Sequence, residues 1–321
     1  MRRTLLVATT LLLGVVARAQ GATKFKYVSF QGESLLRYAW QGRKVALATS
    51  SRNLNPNTMR QVLRALDKAY AFYAEQTGRE PASRRESMWN GRTLVAEVQK
   101  TCGAGCGYLG TRGIEIMPDY LRVLLQGVEE HRQFDQVLFY ELGRNFWFLG
   151  DKLEYEELDA RPGSVTTGFA VCMRFLAMDA AGVDGASFGE RPFAEFRSEV
   201  EHLVDTYEAD TKSTWATTLR ADKGVENKMG LGGADLFASI CLRLAREFGG
   251  PDYLGKLWAA AGKCPPARTT ADAVDNFVVA ASQAATRDLS PMFAEQWRWP
   301  VGPGGKQRAA KAGPALSRLG E

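Results

Sequence analysis

What most constrains this chain is a change of pattern near residue 167. Upstream, five short segments rich in aromatic and β-branched residues (24–29, 35–40, 44–48, 93–98 and 113–117) are separated by polar or glycine breaks and read as strands. Downstream, every patterned segment has helical spacing: 168–180, 193–207, 234–248, 251–261, 271–285 and 291–299. A clear helix lies among the strands. Asn55 suits its cap and Pro56 its first turn; Met59, Val62, Leu63, Leu66, Tyr70 and Tyr73 form one stripe, and Gly78 stops it. Segments 120–127 and 134–148 are also helical in pattern. A strand-bearing half followed by a helix-only half predicts an α+β protein, with a small mixed sheet plus helices over 20–163, an all-helical subdomain over 164–301, and a cleft between them. The charged stretch 152–164, ending in Arg161-Pro162-Gly163, is the expected boundary.

The first nineteen residues have the three parts of a secretory signal peptide: Arg2 and Arg3, an apolar run from Leu5 to Val16, and Ala17-Arg18-Ala19 before Gln20. The run is too short to span a bilayer and no later segment is longer, so a secreted or periplasmic protein without a membrane-spanning segment is expected. Without Arg2, Arg3 and Arg18 the formal charge of +5 falls to +2. Lys306, Arg308, Lys311 and Arg318 against Glu321 place +3 of that beyond Pro300, leaving the body at −1, a balance that argues against nucleic acid as a partner. The segment 302–321, opening with Gly302-Pro303-Gly304-Gly305, is expected to be a disordered basic tail.

Of the five cysteines, Cys102 and Cys106 flank Gly103-Ala104-Gly105, a linker supple enough for a disulfide in an oxidising compartment. Cys172 and Cys241 fall within helical patterns and read as small buried hydrophobes, while Cys264 has no assigned role. A zinc knuckle would need a second close pair, which the chain lacks.

The sharpest chemical signal is Phe139-Tyr140-Glu141-Leu142-Gly143-Arg144. In H-E-x-x-H two histidines at i and i+4 share one helix face and hold zinc, and the Glu beside the first is the general base. Here Glu141 survives as a vestigial base, with Tyr140 and Arg144 where the ligands would stand. A guanidinium has no lone pair to give and a phenol with pKa about 10 is a poor ligand, so neither zinc nor any other cofactor is expected. Glu141 lies on the stripe of Phe134, Val137, Leu138, Leu142 and Phe146, and Arg144 is placed for an i to i+3 pair with it. Two functional alternatives accompany that structural pair. In one, Arg144 supplies the positive charge that zinc would give and holds a ligand carbonyl or carboxylate. In the other, Glu141 and Tyr140 retain acid/base chemistry.

The order of elements and several short words resemble the gluzincins, the thermolysin-like, aminopeptidase-like and enhancin-like metallopeptidases. Gly113-Ile114-Glu115-Ile116-Met117 resembles their edge strand, which lies beside bound peptide, and so implies Gly113 and Glu115 as binding positions. Tyr140 to Arg144 resembles the motif helix, and Gly168-Phe169-Ala170 the second helix, where Glu commonly precedes the Gly; this chain has Thr167 there. The words Asp275-Asn276-Phe277, Leu289-Ser290-Pro291 and Trp297-Arg298-Trp299-Pro300 resemble the end of the helical subdomain. The resemblance implies an exported, zinc-free relative that binds a peptide or glycoprotein in an inherited cleft. The alternatives are an active peptidase using Glu141 in a non-standard site, or a structural envelope or matrix protein.

Other motifs carry less. Gly185-Ala186-Ser187-Phe188-Gly189 matches a nucleophile elbow, but the segment before it reads as helix rather than strand. His131 and His202 sit among polar residues and read as surface, and Gly230-Leu231-Gly232-Gly233 lacks the Lys-Ser/Thr of a phosphate loop. Phe146, Trp147 and Phe148 read as core, with one of them available as a sugar or peptide platform.

Overall fold

The computed structural model describes residues 22–155 and 163–312. The proposed signal peptide and most of the proposed boundary at 152–164 therefore lie outside the described residues. The larger sheet contains β1 (Thr23–Val28), β2 (Ser34–Gln41), β3 (Val45–Thr49), β4 (Met88–Trp89), β5 (Arg92–Glu97), β6 (Gly105–Gly107) and β7 (Ile114–Ile116). Its order is β1-β2-β3-β5-β7-β6, with β4 added to β5. β3, β5 and β7 run parallel, whereas β1, β2 and β6 are antiparallel to their neighbours. The parallel step from β3 to β5 is made by helix α1 (Pro56–Thr77), which lies across the sheet.

α1 follows the residues that specify it. The Asn55 side chain accepts from the amides of Asn57 and Thr58, Pro56 occupies the first turn, and Gly78 ends the helix at φ +64°. All six stripe residues are buried. On β3, Val45 and Leu47 point toward the helices and Ala46 and Ala48 toward the other face, where a smaller cluster forms with Tyr27, Leu94, Ala96 and Val98. The sheet is thus buried on both faces along its parallel strands.

The remaining helices are α2 (Pro118–His131), α3 (Val137–Asn145), α4 (Gly150–Leu153), α5 (Ser164–Ala181), α6 (Phe193–Ala209), α7 (Gly233–Phe248), α8 (Pro251–Lys263), α9 (Thr270–Ala285) and α10 (Pro303–Ala310). A two-strand parallel ribbon, β8 (Gln133–Phe134) with β9 (Asp184–Gly185), ties the entry of α3 to the exit of α5. The segment expected as a last helix at 291–299 is a short π-helical turn, Met292–Gln296. α1 packs on α5 and α8 as well as on the sheet, so one apolar cluster runs from Trp40 to Ala309 through both halves of the sequence. No helix among the described residues is long and apolar enough to cross a membrane.

Two expectations change here. The disordered tail does not begin at 302. Pro303 takes the first turn of α10, where its fixed φ favours a helix, and the Asp275 carboxylate accepts the Gly302 amide at 2.8 Å. Gly305 lets α10 come close to Asp275, since a Cβ there would meet its carboxyl carbon at 2.4 Å and displace that side chain. The glycines that suggested disorder let α10 lie on α9. Residues 313–321 lie outside the described residues. The second change concerns the sheet edge: 113–117 is not it, because β7 lies between β5 and β6, and β6 is outermost. Its three residues, two of them glycine, give too little pattern to read as a strand.

Candidate functional site

α3 is shorter than its apolar pattern. Phe134 is held in β8, and the Asp135 carboxylate accepts the Val137 amide at 2.8 Å, so the helix starts there. Tyr73 of α1 anchors it from below, its buried hydroxyl donating to the Phe139 carbonyl at 2.7 Å and its ring packing against Gly143. At the far end the Asn145 side chain donates to the carbonyls of Tyr108 and Gly113, tying α3 to the β6–β7 turn. Phe146 and Trp147 go into the core; Phe148 is half-buried, with the Arg79 guanidinium 4.3 Å above its ring.

Glu141 faces the sheet edge. One carboxylate oxygen accepts the Gly107 amide at 2.7 Å, and the Arg144 Nε lies 3.6 Å from that same oxygen. The Arg144 Nε also donates to the Gly107 carbonyl at 3.3 Å. The carboxylate, the guanidinium and both polar groups of one edge-strand residue therefore close on one another. The side chains are 8% and 14% exposed, so this is a largely desolvated contact. Burial pushes the Glu141 carboxyl up to about 7, against the opposing pull of Arg144 and the Gly107 amide.

A side chain at Gly107 would block this approach, and one at Gly105 would crowd it. A Cβ on Gly107 would meet the Glu141 backbone oxygen at 2.4 Å, and one on Gly105 would meet the Glu141 Cγ at 3.1 Å. Between those glycines, Cys106 is disulfide-bonded to Cys102 with a Cα–Cα separation of 5.5 Å. The bond closes the loop that leads into β6, as the spacing suggested, and Cys106 lies within the edge strand itself. Non-reducing peptide mass spectrometry should recover the two as a linked pair. Replacing both by serine should cost roughly 2 kcal/mol on the chain-entropy estimate for so short a ring. Two free thiols from an oxidising host would contradict the linkage.

The other expected positions separate. Glu115 is 1% exposed and looks away from α3, accepting from the Tyr27 hydroxyl at 2.8 Å and the Phe30 amide at 2.7 Å. Burial raises its carboxyl, and those two donors oppose the rise. It braces the sheet's far face and is not beside Glu141, because alternate residues of a strand point to opposite faces. Gly113, at φ +118°, turns the chain into β7, and a Cβ there would meet the Ser87 Cβ at 2.5 Å, so its place is structural. Thr167 is half-buried in the first turn of α5, and Tyr140 is half-buried on α3. Gly168 does mark a crossing, since a Cβ there would meet the Ala234 carbonyl at 2.6 Å where α5 meets α7.

One residue absent from those expectations belongs here. Arg174, two turns beyond Thr167, is 8% exposed, and its guanidinium carbon lies 5.7 Å from the centre of the Tyr140 ring. The signal was visible: from Ser164 to Met178, α5 carries this one charge in an otherwise apolar or hydroxyl sequence. His131 and His202 are exposed, and Cys172, Cys241 and Cys264 are buried free thiols. No group of three His, Cys, Asp or Glu side chains gathers as a metal site among the described residues. Tyr140, Arg144 and Thr167 do not fit zinc either, because the guanidinium is already engaged with Glu141 and Gly107 and has no lone pair.

No protein-family model matches the chain, and no curated protein matches it. Solved structures do. A conserved protein of unknown function from Bacillus anthracis str. Ames is similar at TM-score 0.56 and 12% identity over 86% of this chain and 51% of its own. The ZmpB metallopeptidase from Clostridium perfringens is similar at TM-score 0.51 and 16% identity over 86% of this chain and 49% of its own. A metallopeptidase solved in complex with Tn antigen gives TM-score 0.51 and 12% identity over 86% and 50%. The chain thus spans about half the length of the structures it matches. It is an α+β protein whose fold is similar to that of metallopeptidase structures.

Proposed function

We propose that this is an exported relative of the gluzincin-type peptidases that works without catalytic zinc and holds a peptide or glycoprotein in its cleft. The observation that carries the reading is the state of Glu141. A general base must be free to reach a water or a substrate proton, whereas this carboxylate accepts the Gly107 amide and pairs with a guanidinium at a position where the peptidase motif has a histidine. The disulfide beside the edge strand supports an oxidising destination. Similarity to metallopeptidases, one of them solved with a glycan antigen, supports a peptide or glycoprotein as ligand.

A second reading has one observation in its favour. A carboxyl pushed up to about 7 is suitably poised for proton transfer near neutral pH, so a peptidase using Glu141 in a non-standard site remains the competing function. One substitution separates the two. Under the binding reading, the full chain and its Glu141→Gln variant should retain denatured casein or mucin equally and release no new termini. Loss of a measurable hydrolysis on Glu141→Gln, with stability preserved, would establish the peptidase instead.

A further inference from the structure

With Arg144 engaged by Glu141 and Gly107, a second cation stands beside α3, Arg174. It is more than nine-tenths buried, and its Nε has no hydrogen-bond partner. Among the described residues no carboxylate lies within ion-pair distance of it, and its surroundings are aromatic: the guanidinium carbon is 4.9 Å from the Phe175 ring centre, 5.1 Å from Phe196 and 5.7 Å from Tyr140. Ring faces attract a cation but offer its N–H groups no acceptor comparable to an oxygen. The two acidic groups with influence here, Asp135 and Asp235, are committed elsewhere: one accepts the Val137 amide at the start of α3, the other the Gly232 amide at 3.0 Å at the start of α7. Burial depresses the Arg174 guanidinium only to about 10, so it stays charged at neutral pH. A buried N–H without an acceptor is costly to fold, and an incoming carboxylate that accepts from it relieves that cost.

We propose that Arg174, framed by the half-buried Tyr140, is an anion-recognising residue beside α3 and takes a carboxylate from the bound ligand, either a peptide C-terminus or an acidic side chain. The inference rests on the peptide-binding reading and names the group that the ligand presents. It also has a stability corollary. A residue kept for binding at the expense of folding should be dispensable to the empty protein, whereas a structural anchor should not be.

The test uses the full exported chain titrated with three probes: N-acetyl-Ala-Ala with a free carboxylate, the same dipeptide as its amide, and N-acetyl-aspartate amide. At least one carboxylate probe should bind about 10- to 100-fold more tightly than the dipeptide amide, the range for a charge-assisted hydrogen bond, and which one does so separates the two sources. Arg174→Gln should abolish that preference, and Arg174→Lys should restore part of it. Without ligand, Arg174→Met should melt at or above the wild-type temperature. Equal binding of acids and amide, or a preference that survives Arg174→Gln, would overturn the assignment. So would a marked fall in melting temperature for Arg174→Met. If no small probe binds but denatured casein is retained, the carboxylate assignment alone fails; if casein is not retained either, the binding reading falls with it.

Discussion

Arg144→Met should destabilise the protein by about 3–5 kcal/mol at pH 8, because it leaves the Glu141 carboxylate buried without its cation. At pH 5 the cost should shrink to about 1 kcal/mol, the value of the lost hydrogen bond to the Gly107 carbonyl. The sign follows from Glu141. Its folded pKa of about 7 lies above the ordinary value of 4.5, so the folded state binds the proton more tightly than the unfolded state. That contribution is fully present below the ordinary value and is lost as pH rises through about 7. At pH 5 the stranded carboxyl is already neutral and misses Arg144 little. The double change Glu141→Leu with Arg144→Met removes both charges and should cost less at pH 8 than Arg144→Met alone. Urea titrations of the four proteins at both pH values decide the matter. A penalty independent of pH, with no coupling between the two positions, would make them unrelated helix residues.

Gly107→Val should also destabilise the protein, from a different cause. Its Cβ would meet the Glu141 backbone oxygen at 2.4 Å, and a helix backbone cannot turn aside as a side chain can. Either β6 leaves the sheet edge or α3 shifts, and overpacking of this kind costs about 1–3 kcal/mol or more. Because the same displacement breaks the amide contact to Glu141, Gly107→Val and Arg144→Met should be less than additive in a double-mutant cycle. Full additivity would mean that the strand and the ion pair are not one unit.

Residues whose role is local were legible in sequence. The Asn55 cap, the Gly78 stop and the stripe between them needed only neighbours within a few turns, and the structure has all three. The i to i+3 placement of Glu141 and Arg144 was equally local, and so was the short disulfide. What escaped depends on contacts far apart in the chain. β6 is three residues long and gains its edge position by pairing with β7, so nothing in Gly105-Cys106-Gly107 announces it. Glu115 reads as a site residue only if its strand is the edge, and the partners that turn it away, Tyr27 and Phe30, come from more than eighty residues earlier. The helix at 303–310 depends on Asp275 in the same way. Arg174 was legible as an anomaly, a lone charge in a buried helix, but its place against Tyr140 needed α3 and α5 packed together.

Under the proposed zinc-free function, the Glu141–Arg144 pair stands on α3 in place of a metal site. Metal content decides whether that is so. Elemental analysis of the purified protein, after dialysis against buffer containing zinc and then against metal-free buffer, should find zinc far below one equivalent per chain and unchanged in the Glu141→Gln variant. One zinc per chain that disappears when Glu141 is replaced would contradict the account and return Glu141 to a metal centre.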